Sequence, residues 1–239
     1  VSHSLLEVHD LSLRLSGREI FSIERLSLER GETLAVIGPN GAGKTSLLNT
    51  LALLQAPTRG RVLIDGQVAG NGNTVALRRR MAVVFQDAML LDFSVRQNLT
   101  VALRIRGISG REAATRAEHW LKRFGVDHLS RQAARSLSGG EAQRTSLARA
   151  FALEPEILML DEPFAALDFP TRKNLLRDLA SILNEMKMTT LFVTHDFSEI
   201  PLLTQRVAVL HNGKIIRDGP LDEVLGDSLK LSARMPWDV

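Results

Sequence analysis

Five stretches of the chain carry residues whose types and spacing could act on phosphate. GPNGAGKT, residues 38–45, fits G-x-x-x-x-G-K-[ST] and stands between the apolar run TLAVI and a helical pattern, KTSLLNTLALL. Glycines in such a loop let backbone N–H groups turn inward around phosphate oxygens. The helix expected to start near Lys44 adds its positive end. Lys44 would reach the β- and γ-phosphates of a nucleotide, and the Thr45 hydroxyl would ligate Mg²⁺. Gly38, Pro39, Asn40, Gly41, Ala42, Gly43 and Ser46 complete the expected phosphate-binding set. ILMLDEP, residues 157–163, is an apolar strand that carries Asp161 to its end, where a metal would be held, with Glu162 next to polarise an attacking water. His195 ends a second apolar strand, FVTHD, and Gln86 follows a third, MAVVFQ. His195 would meet the γ-phosphate, and the Gln86 amide would sense the metal and the water. Finally, SLSGGEAQR at 136–144 places Ser138, Gly139 and Gly140 at a helix start, a second place suited to an anion.

These residues need a scaffold that brings strand ends together. LLEVHDLSLRL, LSLERGETLAVIG and GRVLIDGQ read as strands by alternation and β-branched content. TLAVIG, MAVVF, EILML and TTLFV are apolar on both faces, as buried parallel strands are. VRQNLTVALRI, GREAATRAEHWLKRFG and GGEAQRTSLARAFAL follow helical spacing, and TRKNLLRDLASILNEM predicts another helix. RVAVLHNGKIIRDG predicts a hairpin turned at Asn212-Gly213. Strands alternating with helices imply an α/β fold with a largely parallel sheet, and the helix-only stretch 88–152 would be an insertion.

Composition narrows the function. A net charge of +3 over 239 residues is too weak to indicate a nucleic-acid partner. The chain has no cysteine, which excludes disulfides and thiolate metal sites. VSHSLLEVHD lacks the pattern of a signal peptide, and no apolar run approaches a membrane span. The expectation is a soluble chain that meets a membrane only through a partner.

GPNGAGKT, Gln86, LSGGE, LMLDEP, AALD at 165–168 and VTHD occur in that order, and with them the chain resembles the ATP-binding subunit of an ABC transporter. The resemblance implies a P-loop NTPase that uses ATP and Mg²⁺, with an antiparallel β-subdomain from the N-terminal strands. Residues 1–87 and 153–220 would form the nucleotide-binding core, 88–152 a helical subdomain and 221–239 a tail. It also implies that two copies pack head to tail. Ser138, Gly139 and Gly140 would then cover ATP held by the partner's Lys44 loop, and Asp168 would reach across to the same site. The family stacks adenine on an aromatic residue before the P-loop. The matching position here is near Leu15, with Phe21 the nearest aromatic, and the chain has no tyrosine.

LSGGEAQR and LARAFALEPEILMLDEPFAALD resemble importer subunits, and residues 77–107 look like those serving tungstate or molybdate uptake. Such a subunit would sit at the cytoplasmic face of the membrane. It would serve a permease and, through it, an extracytoplasmic substrate-binding protein. The chain's end at residue 239 would leave no room for the C-terminal regulatory domain that some importers carry. AMLLDF at 88–93 is either subdomain core or a groove for a permease helix. Two alternatives stay open: a soluble ABC ATPase of assembly or nucleic-acid repair, and a subunit that binds ATP without hydrolysing it.

Overall fold

The computed structural model describes residues 4–70 and 72–230. The first half runs β1 (Ser4–Leu15), β2 (Arg18–Glu29), β3 (Thr33–Ile37), α1 (Lys44–Leu51), β4 (Arg59–Ile64), β5 (Gln67–Val68), α2 (Thr74–Arg78) and β6 (Met81–Val84). Three helices follow, α3 (Val95–Ile105), α4 (Gly110–Arg123) and α5 (Gly139–Ala152). The rest is β7 (Ile157–Asp161), α6 (Phe169–Met186), β8 (Thr189–Thr194), α7 (Ile200–Leu203), β9 (Arg206–His211), β10 (Lys214–Pro220) and α8 (Leu221–Lys230).

Two sheets form. One is antiparallel, in the order β2-β1-β4-β5; the other has the order β10-β9-β3-β8-β7-β6 and is parallel from β9 to β6. Side chains alternate along a strand, so the parallel sheet has two apolar faces. Leu34, Val36, Met159, Leu191 and Val193 point one way, onto Leu47, Leu48 and Leu51 of α1 and onto the antiparallel sheet. Ala35, Ile37, Leu158, Leu160 and Phe192 point the other way, onto α3, α4, α5 and α6. Helices α1 and α5 therefore lie on opposite faces of one sheet. Trp120 of α4 stacks against Phe151 of α5 with ring centroids 5.1 Å apart, and Phe124 lies 5.4 Å from the same ring. Those contacts fasten the outer helices to α5, and α5 to the sheet.

The structure corrects the sequence reading at several points. LSLERGETLAVIG is not continuous: Gly31, at φ 75°, turns the chain out of β2 and into β3 of the other sheet. Strand β2 also starts earlier, at Arg18, where exposed charges broke the alternation. Residues 88–94 are not helical, because Ser94 caps α3 through a reciprocal pair with Gln97 that fixes the helix start there. The stretch after 220 begins as helix α8, and Leu221, Val224 and Leu225 are buried in the core; residues 231–239, including Trp237, lie outside the described residues.

Candidate functional site

The parallel order β3-β8-β7-β6 brings four strand ends to one edge of the sheet, where ligands of such sheets bind. From β3 the chain enters the 38–43 loop. A Cβ on Gly38 would sit 2.1 Å from the Leu210 carbonyl oxygen, so only glycine fits against β9. Gly43 takes φ 99° as the cap of α1, with the Ile20 carbonyl of β2 pressed against it. Because that cap has no side chain and the first turn of α1 has no acidic residue, the first N–H groups of α1 stay open to an anion.

Lys44 is buried, and its Nζ donates to the carbonyls of Gly38 (2.9 Å) and Pro39 (3.1 Å) while standing 3.7 Å from Glu162 Oε1. Burial pulls its ammonium below the ordinary value, and the Glu162 and Asp161 carboxylates oppose that. The Thr45 hydroxyl donates to Asp161 Oδ1 at 3.1 Å. Burial pushes the Asp161 carboxyl up, aided by nearby Glu162 and opposed by Thr45 and Lys44. Glu162 sits at φ 46°, an unfavourable backbone for this residue, with its N–H bonded to the Val193 carbonyl of β8. Its other oxygen, Oε2, lies 2.9 Å from Nδ1 of His195. Lys44, Thr45, Asp161, Glu162 and His195 thus form one connected cluster. Gln86 is exposed two residues beyond β6, and no hydrogen bond or ion pair joins it to that cluster among the described residues.

The second phosphate-like place lies elsewhere. Ser138 caps α5: its N–H and its hydroxyl both donate to Glu141 Oε2 at 2.8 Å, which holds that carboxyl below its usual range. Asp168 caps α6, accepting from the Thr171 N–H at 3.0 Å. The two helix starts touch: a Cβ on Gly140 would fall 2.7 Å from Thr171 Cγ2, and one on Gly139 would meet the Ala166 carbonyl at 3.8 Å. Since α1 and α5 occupy opposite faces, with about 10 Å per packed layer, their axes are roughly 20 Å apart.

Leu15 is exposed at the β1–β2 hairpin tip, close along the ribbon to the Ile20 carbonyl that supports Gly43. Phe21 is fully buried in the core and presents no ring for a base. Met89, Leu91 and Phe93 are exposed, which removes the core reading for most of AMLLDF; Leu90 is half-buried. Arg149 of α5 donates to the Ala88 and Met89 carbonyls, and buried Asn98 grips both the N–H and the carbonyl of Leu91. Sequence reasoning missed Arg149, the Ile20 wedge and Arg172, whose guanidinium bonds Asp196 beside His195. Each acts through backbone or across long separations, so no local spacing announces it.

The architecture is that of an α/β P-loop NTPase. The family model described as ABC transporter matches residues 23–165. The chain is 42% identical over 204 residues to a sulfate/thiosulfate import ATP-binding protein of Caulobacter vibrioides. It is 38% identical over 199 residues to a molybdate/tungstate import ATP-binding protein of Thermococcus kodakarensis. Each alignment covers 83% of this chain and 60% of the relative, so the chain spans less than two thirds of the length of these two proteins. A solved dimeric, post-hydrolysis state of the ATP-binding cassette MJ0796, bound to ADP and Pi, superposes with a TM-score of 0.82 at 28% identity, covering 90% of this chain and 98% of that one. The chain belongs to the ABC transporter family.

Proposed function

We propose that this chain is an ATP-hydrolysing subunit that drives solute import through a membrane permease, and that two copies close head to tail over ATP. The observation that carries this reading is the placement of the two helix starts. One chain offers open N–H groups at Gly43–Thr45 and again at Gly139–Gly140, on opposite faces of its sheet. A single phosphate cannot meet both in one chain. A second copy, turned about a two-fold axis, would lay its Ser138, Gly139 and Gly140 over the γ-phosphate held by the first, with its Asp168 beside them. Those donors add to the first set and exclude water.

Bound ATP draws Lys44 from the Gly38 and Pro39 carbonyls onto the β- and γ-phosphates. Glu162 is then left with His195, and its carboxylate is free to take the proton of an attacking water. His195 holds that carboxylate in place and meets the γ-phosphate. The hard oxygen donors of Thr45 and Asp161, adjacent and partly desolvated, suit Mg²⁺, with Gln86 on the same edge as a further contact. When bound, the ion neutralises phosphate charge. Leu15 supplies an apolar surface for adenine.

The relatives' names support solute import more broadly than tungstate or molybdate, since they include sulfate, phosphate and methionine import proteins. In this reading residues 88–152 are a helical arm on a nucleotide-binding core, and the exposed Met89, Leu91 and Phe93 receive the permease at the cytoplasmic face of the membrane. Among the described residues no helix is long and apolar enough to cross it. A substrate-binding protein outside the membrane would act through the permease.

Complementation tests the composite site. Lys44→Ala breaks one half of each site in a homodimer, and Gly139→Asp places a carboxylate against the γ-phosphate in the other half. Mixed, they form a heterodimer with one intact site, so ATP-dependent crosslinking returns. If the mixture of folded, exchanging mutants recovers neither dimer nor turnover, the head-to-tail reading is wrong.

A further inference from the structure

Arg172 stands in the first turn of α6, yet its guanidinium bonds nothing on the exposed side of that helix. Its Nη2 donates back to the Leu167 carbonyl at 3.3 Å, on the peptide that leads into Asp168. Its Nη1 donates to Asp196 Oδ2 at 2.8 Å, on the residue after His195. Its Nε is buried with no partner among the described residues, so the contacts of the guanidinium fall on these two loops. Asp196 is itself fixed: its Oδ1 accepts the N–H and hydroxyl of Ser198 at 2.9 and 2.6 Å, and its N–H donates to the Thr194 hydroxyl at 3.0 Å. That hydroxyl donates onward to buried Glu199 at 2.7 Å. The chain from Asp168 to His195 is therefore short and stiff at both ends.

We propose that Arg172 is a positioning residue that couples the two ATP sites of the dimer. The consequence for hydrolysis rests on the head-to-tail reading; the link itself lies within one chain. Asp168 serves the partner's site and His195 serves its own. A planar, bidentate cation between their loops makes the two move together. Seating of the partner against Asp168 then shifts Asp196, and with it the ring of His195 against Glu162, so occupancy of one site is felt at the other as a coupling free energy.

Two measurements test this. In nucleotide-free chains labelled with ¹⁵N-histidine, Asp168→Ala should move the ring resonances of His195, assigned by their loss in His195→Gln. In an Arg172→Gln background the same change should leave them still. Arg172→Lys keeps a charge near Asp196 but cannot bridge both partners, and it should fail to transmit while melting within a few degrees of the native chain. Asp196→Asn repeats the test from the other end if Arg172→Gln folds poorly. Transmission that persists in all three variants, or no shift in the native background, overturns the link. In the second measurement, native hydrolysis should depend on ATP with a Hill coefficient above 1, falling to about 1 in Arg172→Gln with ATP affinity retained. Cooperativity unchanged in Arg172→Gln overturns the coupling even where the resonances obey. Native hydrolysis without cooperativity, with the resonance link intact, counts against the two-copy reading and removes the consequence drawn from it.

Discussion

Glu199 should make the fold pH-sensitive in a direction opposite to most carboxylates. Its side chain is buried, and its carboxyl is pushed from the ordinary 4.5 up to about 7. Burial is the main cause. Asp196 adds to it, while the Thr194 hydroxyl, Arg172 and His195 oppose it. The native state therefore binds more protons than the unfolded chain between those two values, and stability must fall as pH rises through them. At about 1.4 kcal/mol for each pKa unit, the loss between pH 4.5 and pH 7 is about 3 kcal/mol. With a urea slope of about 3 kcal/mol per molar, the unfolding midpoint should drop by about 1 M. Other groups titrate too, so the assay is a difference: urea midpoints at pH 5 and pH 8 for the native chain and for Glu199→Gln. The amide keeps an acceptor for Thr194 and has no charge to bury. Its midpoint should change with pH by about 1 M less than that of the native chain, and the two should diverge only above pH 5. Equal pH dependence in both proteins would refute the argument, because it would mean that Glu199 is solvated or paired on ionising.

Glu162→Gln should keep ATP binding while turnover falls roughly 100-fold or more, and the dimer trapped on ATP should elute as a longer-lived species in sizing chromatography; normal hydrolysis would remove Glu162 as the base. Phe93→Asp changes a half-exposed side chain, so the melting temperature and the hydrolysis by isolated subunits should stay near native. Co-purification with the permease should be lost; unfolding of the variant would restore the core reading for residue 93.

Much of the candidate site was legible because its motifs are local. GPNGAGKT, LMLDEP and FVTHD each place a candidate residue at or just past the end of a buried apolar strand, and parallel pairing then brings those ends together. What was not legible depends on contacts distant in sequence. Gly38 is required by the Leu210 carbonyl, and a side chain at Gly140 would press on the Thr171 methyl, contacts that no spacing rule connects. Strand β2 was half hidden because Glu24 and Arg25 interrupt its alternation at the open side of the hairpin, where charge costs nothing. The serine of LSGGE carries a second meaning that the motif alone conceals: its N–H and hydroxyl are already spent on Glu141 within the chain. Donors left open at that helix start belong to Gly139 and Gly140, which shifts the weight of the proposed γ-phosphate contact from hydroxyl to backbone.

The resting cluster and a bound nucleotide compete for one ammonium. Glu162 is held on one side by His195 at 2.9 Å and faces Lys44 at 3.7 Å on the other, while Lys44 is anchored by two carbonyls of its own loop. Phosphate oxygens are better partners for an ammonium than peptide carbonyls are, since both members of the pair are charged. In the proposed reading Lys44 turns to them, and Oε1 of Glu162 is then open to a water that has a γ-phosphate to attack. A Lys44→Met chain should therefore lose ATP affinity by about tenfold or more, because a charged contact of about 1.5 kcal/mol or more goes with the ammonium. Calorimetry of ATP binding reads that loss directly. Affinity equal to that of the native chain would mean that Lys44 stays on its own carbonyls when nucleotide is bound.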